Sequence, residues 1–337
     1  MKRLFILATA AIVALASCTK THVVYNEAPQ EISFKQVTNV MTKAEQGTLG
    51  DGNTTMGVFA YWGTPSSSYF NNAKFMYDGT TSCWTSYAAT MDSSEKDPVY
   101  WPVSGNVDFV VYSPWTNSAG LNDDGSSFAY VSSSSSSNLC IRKQLNDVSD
   151  WLYGKASGSK SNQAVNVTLS HALSNIEVNI TGTSDVTISK VELLNSLQQS
   201  IGTIDFSSSP TLVVWEQDKN NKIADMSLIT TQTELGENND QSLIKATGSC
   251  LVVPTNELTD EAIKITYKLS GNATYTTTAK SETAANQLGT KWEHGKKYIY
   301  NISITPEEIK FNPTVTPWDA DFDDDQDITD DDTDITL

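Results

Sequence analysis

Residues 165–182, VNVTLSHALSNIEVNITG, decide the fold class. Apolar and polar residues alternate along most of this stretch, and a β-strand places successive side chains on opposite faces of its sheet. The same pattern returns on both sides in short segments rich in aromatic and β-branched residues, each bounded by Gly, Pro, Asn or Ser. Because helical periodicity is scarce, this regular spacing indicates an all-β protein built as an antiparallel sandwich or barrel.

Twelve further segments carry this pattern. Those before the central stretch are residues 31–37, 56–63, 74–79, 83–87, 99–105 and 107–115, and those after it are 185–195, 211–217, 249–257, 262–270, 273–280 and 296–304. A polar stretch with six consecutive serines, 116–137, predicts a loop. A hinge rich in Gly, Ser and Lys places a domain junction near residue 163. We therefore expect two consecutive domains, 31–163 and 164–318.

The first eighteen residues read as an export signal. A basic segment, residues 1–3, precedes an apolar run at 4–16 that is too short to be a typical membrane-spanning helix. The run ends in Ala16-Ser17-Cys18, which resembles the bacterial lipobox, a signal whose Cys is lipidated and becomes the first mature residue. We expect a signal peptide at 1–17, a lipid on Cys18 and a polar tether at 18–30. An ordinary cleaved signal with a chance Cys is the alternative.

The charge of the chain is concentrated in its tail. The 40 acidic and 22 basic residues give a net charge of −18, which argues against nucleic-acid binding. Residues 319–334 hold ten Asp and no base, so we expect an acidic disordered tail at 319–337. Some carboxylates follow EF-hand spacing: Asp321, Asp323, Asp325 and Asp332. However, Gln326 stands where the loop needs Gly, so we expect weak Ca²⁺ association at most and no metal site.

The remaining reactive residues favour a binding protein over an enzyme. Beyond Cys18 the chain has three cysteines, Cys83, Cys140 and Cys250, and this odd number permits at most one internal disulfide. The chain has no Cys-x-x-Cys motif, so we expect no zinc site. His171 and His294 accompany no nucleophile motif, so we assign them packing and turn roles. We expect no catalytic residue and no cofactor.

An ordered set of motifs resembles the fimbrillin family, the Mfa-like lipoproteins that include type V pilus subunits. The motifs follow the lipobox in this order: GVFAYWG (57–63), FMYDG (75–79), YWPVSGNVDFVVYSPW (100–115), DWLYGKA (150–156), VTLSHALSNIEVNI (167–180) and KWEHGKKYIYNISI (291–304). Each motif alone is weak, but their order is specific, and the resemblance covers about residues 31–304. It implies two tandem transthyretin-like antiparallel β-sandwich domains.

The resemblance also implies a mode of assembly. Family pilins reach the outer membrane as lipoproteins, and a trypsin-like protease cuts after a basic residue in the first loop. The N-terminal strand then leaves a groove that accepts a strand from the next subunit. Here this implies a cut between Lys43 and Ala44 and a displaced strand, Glu31 to Val37, in which Ile32, Phe34 and Val37 nearly alternate. The family more often has Arg at the cut.

Two features qualify this hypothesis. Lys35 is a rival basic site, but it sits within the displaced strand. The C-terminal run 311–322 carries Phe311, Val315 and Trp318, yet Pro313 and Pro317 each remove a backbone donor, and the Asp tail follows. These residues favour a tip, accessory or lipid-retained surface protein over a stalk subunit. The expected partners are other subunits, the outer membrane and a host or bacterial surface ligand.

A second interpretation rests on aromatic residues. Five of the eight Trp fall early in the chain: Trp62, Trp84, Trp101, Trp115 and Trp151. Aromatic side chains can stack on sugar rings, so the alternative function is a glycan-binding outer-membrane lipoprotein of a nutrient uptake system. Trp in a small sandwich is more often part of the core.

Overall fold

The computed structural model describes residues 28–39, 54–63, 67–90, 94–117, 129–131, 139–145, 149–162, 165–237, 243–258, 262–270, 273–280 and 288–318. Within these ranges the regular structure consists of β-strands, which confirms the all-β prediction. The same ranges contain no helix with the length and apolar character needed to cross a membrane.

The strands are numbered in chain order. In the first half they are β1 Phe34–Asn39, β2 Thr55–Trp62, β3 Ser67–Asp78, β4 Cys83–Tyr87, β5 Asn106–Ser113, β6 Ala129–Val131, β7 Cys140–Leu145, β8 Leu152–Ser159, β9 Val165–His171 and β10 Ser174–Gly182. In the second half they are β11 Val186–Asp205, β12 Leu212–Ile229, β13 Thr233–Glu234, β14 Gly236–Glu237, β15 Leu243–Ile244, β16 Ala246–Val252, β17 Ala262–Leu269, β18 Thr274–Lys280, β19 Lys296–Ile304 and β20 Ile309–Pro317.

A closed barrel forms the N-terminal body, with its strands in the order β1-β4-β3-β2-β5-β8-β9. Neighbouring strands are antiparallel except β1 and β9, which run parallel. The interior is filled by apolar side chains from every strand, among them Phe34, Val58, Phe75, Phe109 and Leu169. Burying these side chains provides the main free energy that favours the closed barrel.

Two sheets face each other in the C-terminal body. One has the order β16-β10-β19-β20 and the other β18-β17-β11-β7-β6. Strand β10 alternates between buried and half-buried side chains, as its sequence predicts, because one face packs on the core and the other faces outward. Strands β10 and β19 pair in parallel, a second departure from the expected antiparallel arrangement.

A long hairpin joins the two bodies. The proximal half of β11 pairs with β17, and its distal half, together with β12 and β7, covers one outer face of the barrel. Phe59, Tyr61 and Tyr112 point out of the barrel into this second core. Strand β2 is therefore buried on both faces, which explains its nearly continuous apolar sequence.

Sheet membership differs in detail from the predicted domains. Strand β7 precedes the predicted junction at residue 163 but joins the second body, and β9 follows the junction but belongs to the barrel. Sheet membership changes between His171 and Ser174, and the division at residue 163 stays a prediction. Residues 99–105, predicted as a strand, are irregular apart from one bridge between Tyr100 and Glu31.

Gly202 in β11 provides a test of the seam between the bodies. A Cβ atom there would lie 2.7 Å from both the Trp151 and the Trp215 ring, whose centroids are 5.8 Å apart. We expect Gly202→Ala to lower the free energy of unfolding by about 1–3 kcal/mol, because the rings must separate. Chemical denaturation measures this. Gly79→Ala is the control, since nothing lies within 4 Å of its Cβ position, and an equal loss there would contradict the argument.

Candidate functional site

The N-terminal strand β1 closes the barrel. It pairs antiparallel with β4 at Phe34↔Trp84 and parallel with β9 from Phe34↔Val165 to Asn39↔Leu169. Backbone pairing is therefore extensive along β9 and limited to one residue pair along β4. Strand β1 occupies the slot between these two strands.

The residues before β1 are held by a different partner. The Ile32 amide donates to the Val99 carbonyl at 2.8 Å, and the Trp101 amide donates to the Gln30 carbonyl at 2.9 Å. The segment from residue 30 to residue 39 therefore has two backbone partners. Its first residues bond to residues 99–101, and its later residues pair with β9.

The apolar side chains of this segment fill the barrel core. Ile32 and Phe34 are fully buried, and the Phe34 ring meets Phe75 and Phe109 edge to face, each at a centroid distance of 5.3 Å. Val37 is half-buried and packs on the same core. The structure thus places all three apolar residues of the predicted displaced strand against the barrel core.

A β-bulge at Lys35 explains the odd spacing of these side chains. Phe34 and Val37 are three positions apart, so a regular strand would point them to opposite faces. The register with β9 shifts between Phe34 and Gln36, and an extra bulged residue reverses the alternation. Lys35 is exposed at this point. The predicted lipidation and processing residues, Cys18, Lys43 and Ala44, lie outside the described residues.

The C-terminal strand β20 pairs with β19 along its whole length, from Ile309↔Ile304 to Pro317↔Lys296, at the edge of its sheet. The residues of β20 that face the same side as Phe311 are unevenly buried. Phe311 is 6% exposed and Val315 is 56% exposed. Of the three apolar residues predicted to point inward in this run, Phe311 and Trp318 are buried and Val315 is not.

The two prolines of β20 face the open edge of the sheet. Thr305 N donates to Glu308 O, and Trp318 N donates to Gly295 O, so the even-numbered residues between them are those bonded to β19. Pro313 and Pro317 therefore lie where an outside strand would need backbone donors. This edge is protected against strand addition.

Trp318 fastens the end of β20 to the barrel. Its ring stacks on His171 at a centroid distance of 3.6 Å, and His171 Nδ1 lies 2.8 Å from a carboxylate oxygen of the buried Asp150. His294 in the adjoining turn is hydrogen-bonded to the His171 backbone, and burial lowers the pKa of His294 below its usual value. His171 and His294 therefore contribute to packing and to a turn. Sequence reasoning did not identify Asp150, since only the fold brings it to His171.

The early Trp residues divide into two groups. Trp84, Trp101, Trp115 and Trp151 are buried. Trp62 is 39% exposed at the end of β2. The predicted sugar-stacking set is thus reduced to one member of five.

The described cysteines, Cys83, Cys140 and Cys250, are free thiols. Burial raises the pKa of Cys140 to about 11, with the Asp205 carboxylate contributing, and burial raises the pKa of Cys250 to about 12. Within the ranges given above, no three His, Cys, Asp or Glu residues lie close enough to hold a metal ion.

Comparison with known proteins decides the family. The fimbrillin-like family model matches residues 42–318, which is most of the chain. The chain belongs to the fimbrillin-like family. No curated protein matches it.

Solved structures share this fimbrillin-like fold. A fimbrial protein of Bacteroides vulgatus ATCC 8482 is 15% identical with a TM-score of 0.55, and the match covers 86% of this chain and 99% of the other. A proposed cell adhesion protein of Bacteroides uniformis ATCC 8492 is 16% identical with a TM-score of 0.53, covering 86% and 98%. At these identities the likeness concerns the fold.

Phe34 tests how strongly this fimbrillin-like barrel depends on β1. We expect Phe34→Ala to lower the free energy of unfolding by about 3–5 kcal/mol, since it removes a fully buried ring between two other rings. Lys35→Ala, one residue away and exposed, should change it by no more than about 0.5 kcal/mol. Urea unfolding followed by Trp fluorescence measures both. Equal small effects would show that β1 contributes little to the barrel.

Proposed function

We propose that this fimbrillin-like protein is a surface subunit of a pilus, in a tip or accessory position, that assembles by β-strand addition and acts in adhesion. Its lipid anchors the chain before processing. The observation that supports this pilus role most directly is the closure of the barrel by β1. One six-residue strand, with Phe34 fully buried, occupies a slot between β4 and β9.

Removal of β1 would create a binding site for another strand. The backbone of β9 from Val165 to Leu169 would lose its partner, and the core around Phe75 and Phe109 would face water. An unpaired sheet edge beside an apolar slot recruits an extended strand, because one segment satisfies both the backbone and the core. A strand from a neighbouring subunit would meet both requirements.

Lys43 is the proposed processing residue. It lies four positions beyond the end of β1 and well before Thr55, where β2 begins, so a cut before Ala44 separates β1 from the rest of the chain. Lys35 is exposed, but its neighbours are paired with β9. A protease needs an extended, unpaired backbone, so the pairing on both sides of Lys35 argues against a cut there.

The anchor and location follow from the export signal. Cys18 carries the lipid in this proposal, and acyl chains at about 0.8 kcal/mol per buried CH₂ would hold the uncleaved protein at the outer membrane. The fold shared with a fimbrial protein and a proposed cell adhesion protein supports an exposed position on the cell surface or in the fimbria. The proposed role is non-catalytic, and its partners are other subunits and a host or bacterial surface ligand, not nucleic acid.

The structure of β20 supports a tip or accessory position. A donor strand needs apolar side chains at alternate positions and backbone donors on both edges. In β20 the alternate series includes Pro313 and Pro317, and Val315 remains exposed. This strand is a poor donor for a neighbouring slot.

Limited proteolysis tests the assembly model. We expect a Lys-specific endoprotease to cut the purified protein after Lys43, giving a product that begins at Ala44 and, once β1 has dissociated, binds an added peptide of residues 31–39. Size-exclusion chromatography with N-terminal sequencing measures both events. Lys43→Gln is the matched control and should remain uncut at this site and bind no peptide. A cut protein that binds no added strand after β1 dissociates contradicts strand addition.

The lipid anchor has a separate test. We expect radiolabelled palmitate to be incorporated into the wild-type protein in cells and not into Cys18→Ser, which should leave the membrane fraction. Cys83→Ser is the control, because it changes a thiol of the folded body and should retain the label. A wild-type protein that takes up no label would contradict the proposed lipid anchor. The strand-addition model is tested separately by the Lys43 experiment.

A further inference from the structure

Three aromatic side chains form an exposed cluster at one end of the barrel. Trp62 ends β2, Tyr69 lies in β3, and Tyr100 lies in the segment between β4 and β5. Their exposed fractions are 39%, 38% and 42%, and the centroids of the Trp62 and Tyr69 rings are 6.1 Å apart. We call these three residues the aromatic patch.

Hydrogen bonds fix two of these rings. Trp62 Nε1 donates to the Ser104 carbonyl at 2.7 Å, and the Tyr69 hydroxyl donates to the Tyr100 carbonyl at 2.8 Å. Their polar atoms are therefore engaged with the backbone, and the exposed surface of both side chains is mostly ring carbon. Because the rings are already held, a ligand that stacks on them loses little conformational entropy of the protein.

Gly105 allows the loop to approach the indole closely. Its φ is +91°, and a Cβ atom at this position would lie 2.9 Å from Trp62 Nε1. A side chain at residue 105 would therefore disturb the contact that orients Trp62. The position of the ring thus depends on the backbone of this loop.

A polar cleft of about 510 Å³ borders the same loop. It is lined by residues 103–105 and 159–161 together with Gln30. The lining offers hydroxyl groups from Ser104, Ser159 and Ser161, an amide and the amine of Lys160, and none of the described lining residues carries a carboxylate, in a chain of net charge −18. These are neutral or cationic hydrogen-bonding groups placed beside an aromatic surface.

We propose that the aromatic patch and the cleft form a carbohydrate-binding site. A sugar ring has an apolar C–H face and a rim of hydroxyl groups, so it matches an aromatic surface that adjoins hydroxyl, amide and amine groups. The sugar face stacks on Trp62 or Tyr69, and its hydroxyls bond to Ser159, Ser161 and Gln30. This site specifies the ligand class for the proposed adhesion and rests on that function only for its place on the cell surface.

A glycan array carrying neutral, sialylated and sulfated oligosaccharides tests the site with the full, uncleaved protein. We expect at least one oligosaccharide to be retained, and calorimetry then measures its affinity. Trp62→Ala and Tyr69→Ala should each weaken binding about tenfold or more, since each removes one stacking surface. Tyr275→Ala is the matched control, because Tyr275 is also an exposed ring, 44% accessible and stacked on Tyr267 in the other body.

Trp62→Phe distinguishes the loss of a stacking ring from a general destabilisation of the protein. It keeps a ring at the site, so it should bind more tightly than Trp62→Ala while melting at a similar temperature. Retention of no oligosaccharide by the wild-type protein, or binding that survives both alanine substitutions, would overturn the proposal. Because the protein is uncleaved and need not assemble, a failure here is distinguishable from a failure of strand addition.

Discussion

The closure of the barrel by β1 is the constraint on which the proposed assembly depends. The two sides of this strand are held by different forces. Toward β9 it is fixed by a run of parallel backbone pairing, and toward β4 mainly by the burial of Phe34 between Phe75 and Phe109. A strand with this balance stabilises the barrel strongly, yet its exchange breaks few backbone bonds on the β4 side. An incoming strand must therefore supply a large apolar side chain in the place of Phe34.

The outer face of the barrel packs on a second core, beneath the long β11–β12 hairpin. Phe59 and Tyr61 of β2 point away from the interior and pack beneath the long β11–β12 hairpin, in a core that shares no residue with the one that β1 fills. Gly202 lets Trp151 and Trp215 meet at the centre of this seam. Loss of β1 would expose the first core and leave the second intact. The seam thus offers a physical reason why a barrel without β1 could persist until another strand arrives.

The sequence predicts the strands well and their partners poorly. Residues 83–87 and 296–304 are predicted to the residue as β4 and β19, because both are short segments with aromatic or β-branched residues next to turn residues. Local pattern does not encode contacts between distant segments. Three features depend on such contacts: the parallel pairing of β1 with β9, the bulge at Lys35 and the crossing of β7 to the second body. Residues 99–105 have strand-like composition, but Gly105 has a positive φ and Pro102 has no amide proton. Likewise, composition does not separate Trp62 from Trp115, because only the packed loops decide which ring stays exposed.

The two ends of the folded body are unequal, and this inequality gives the proposed assembly a direction. The N-terminal strand can be separated by one cut in the segment after it, and its slot has the apolar lining and backbone edge that a foreign strand requires. The C-terminal strand is fastened by the stacking of Trp318 on His171, and its open edge lacks donors at Pro313 and Pro317. A subunit that accepts a strand and is a poor donor suits one end of a linear polymer. The slot that β1 leaves at the N-terminus and the poor donor strand at the C-terminus therefore both favour a position at one end of the pilus.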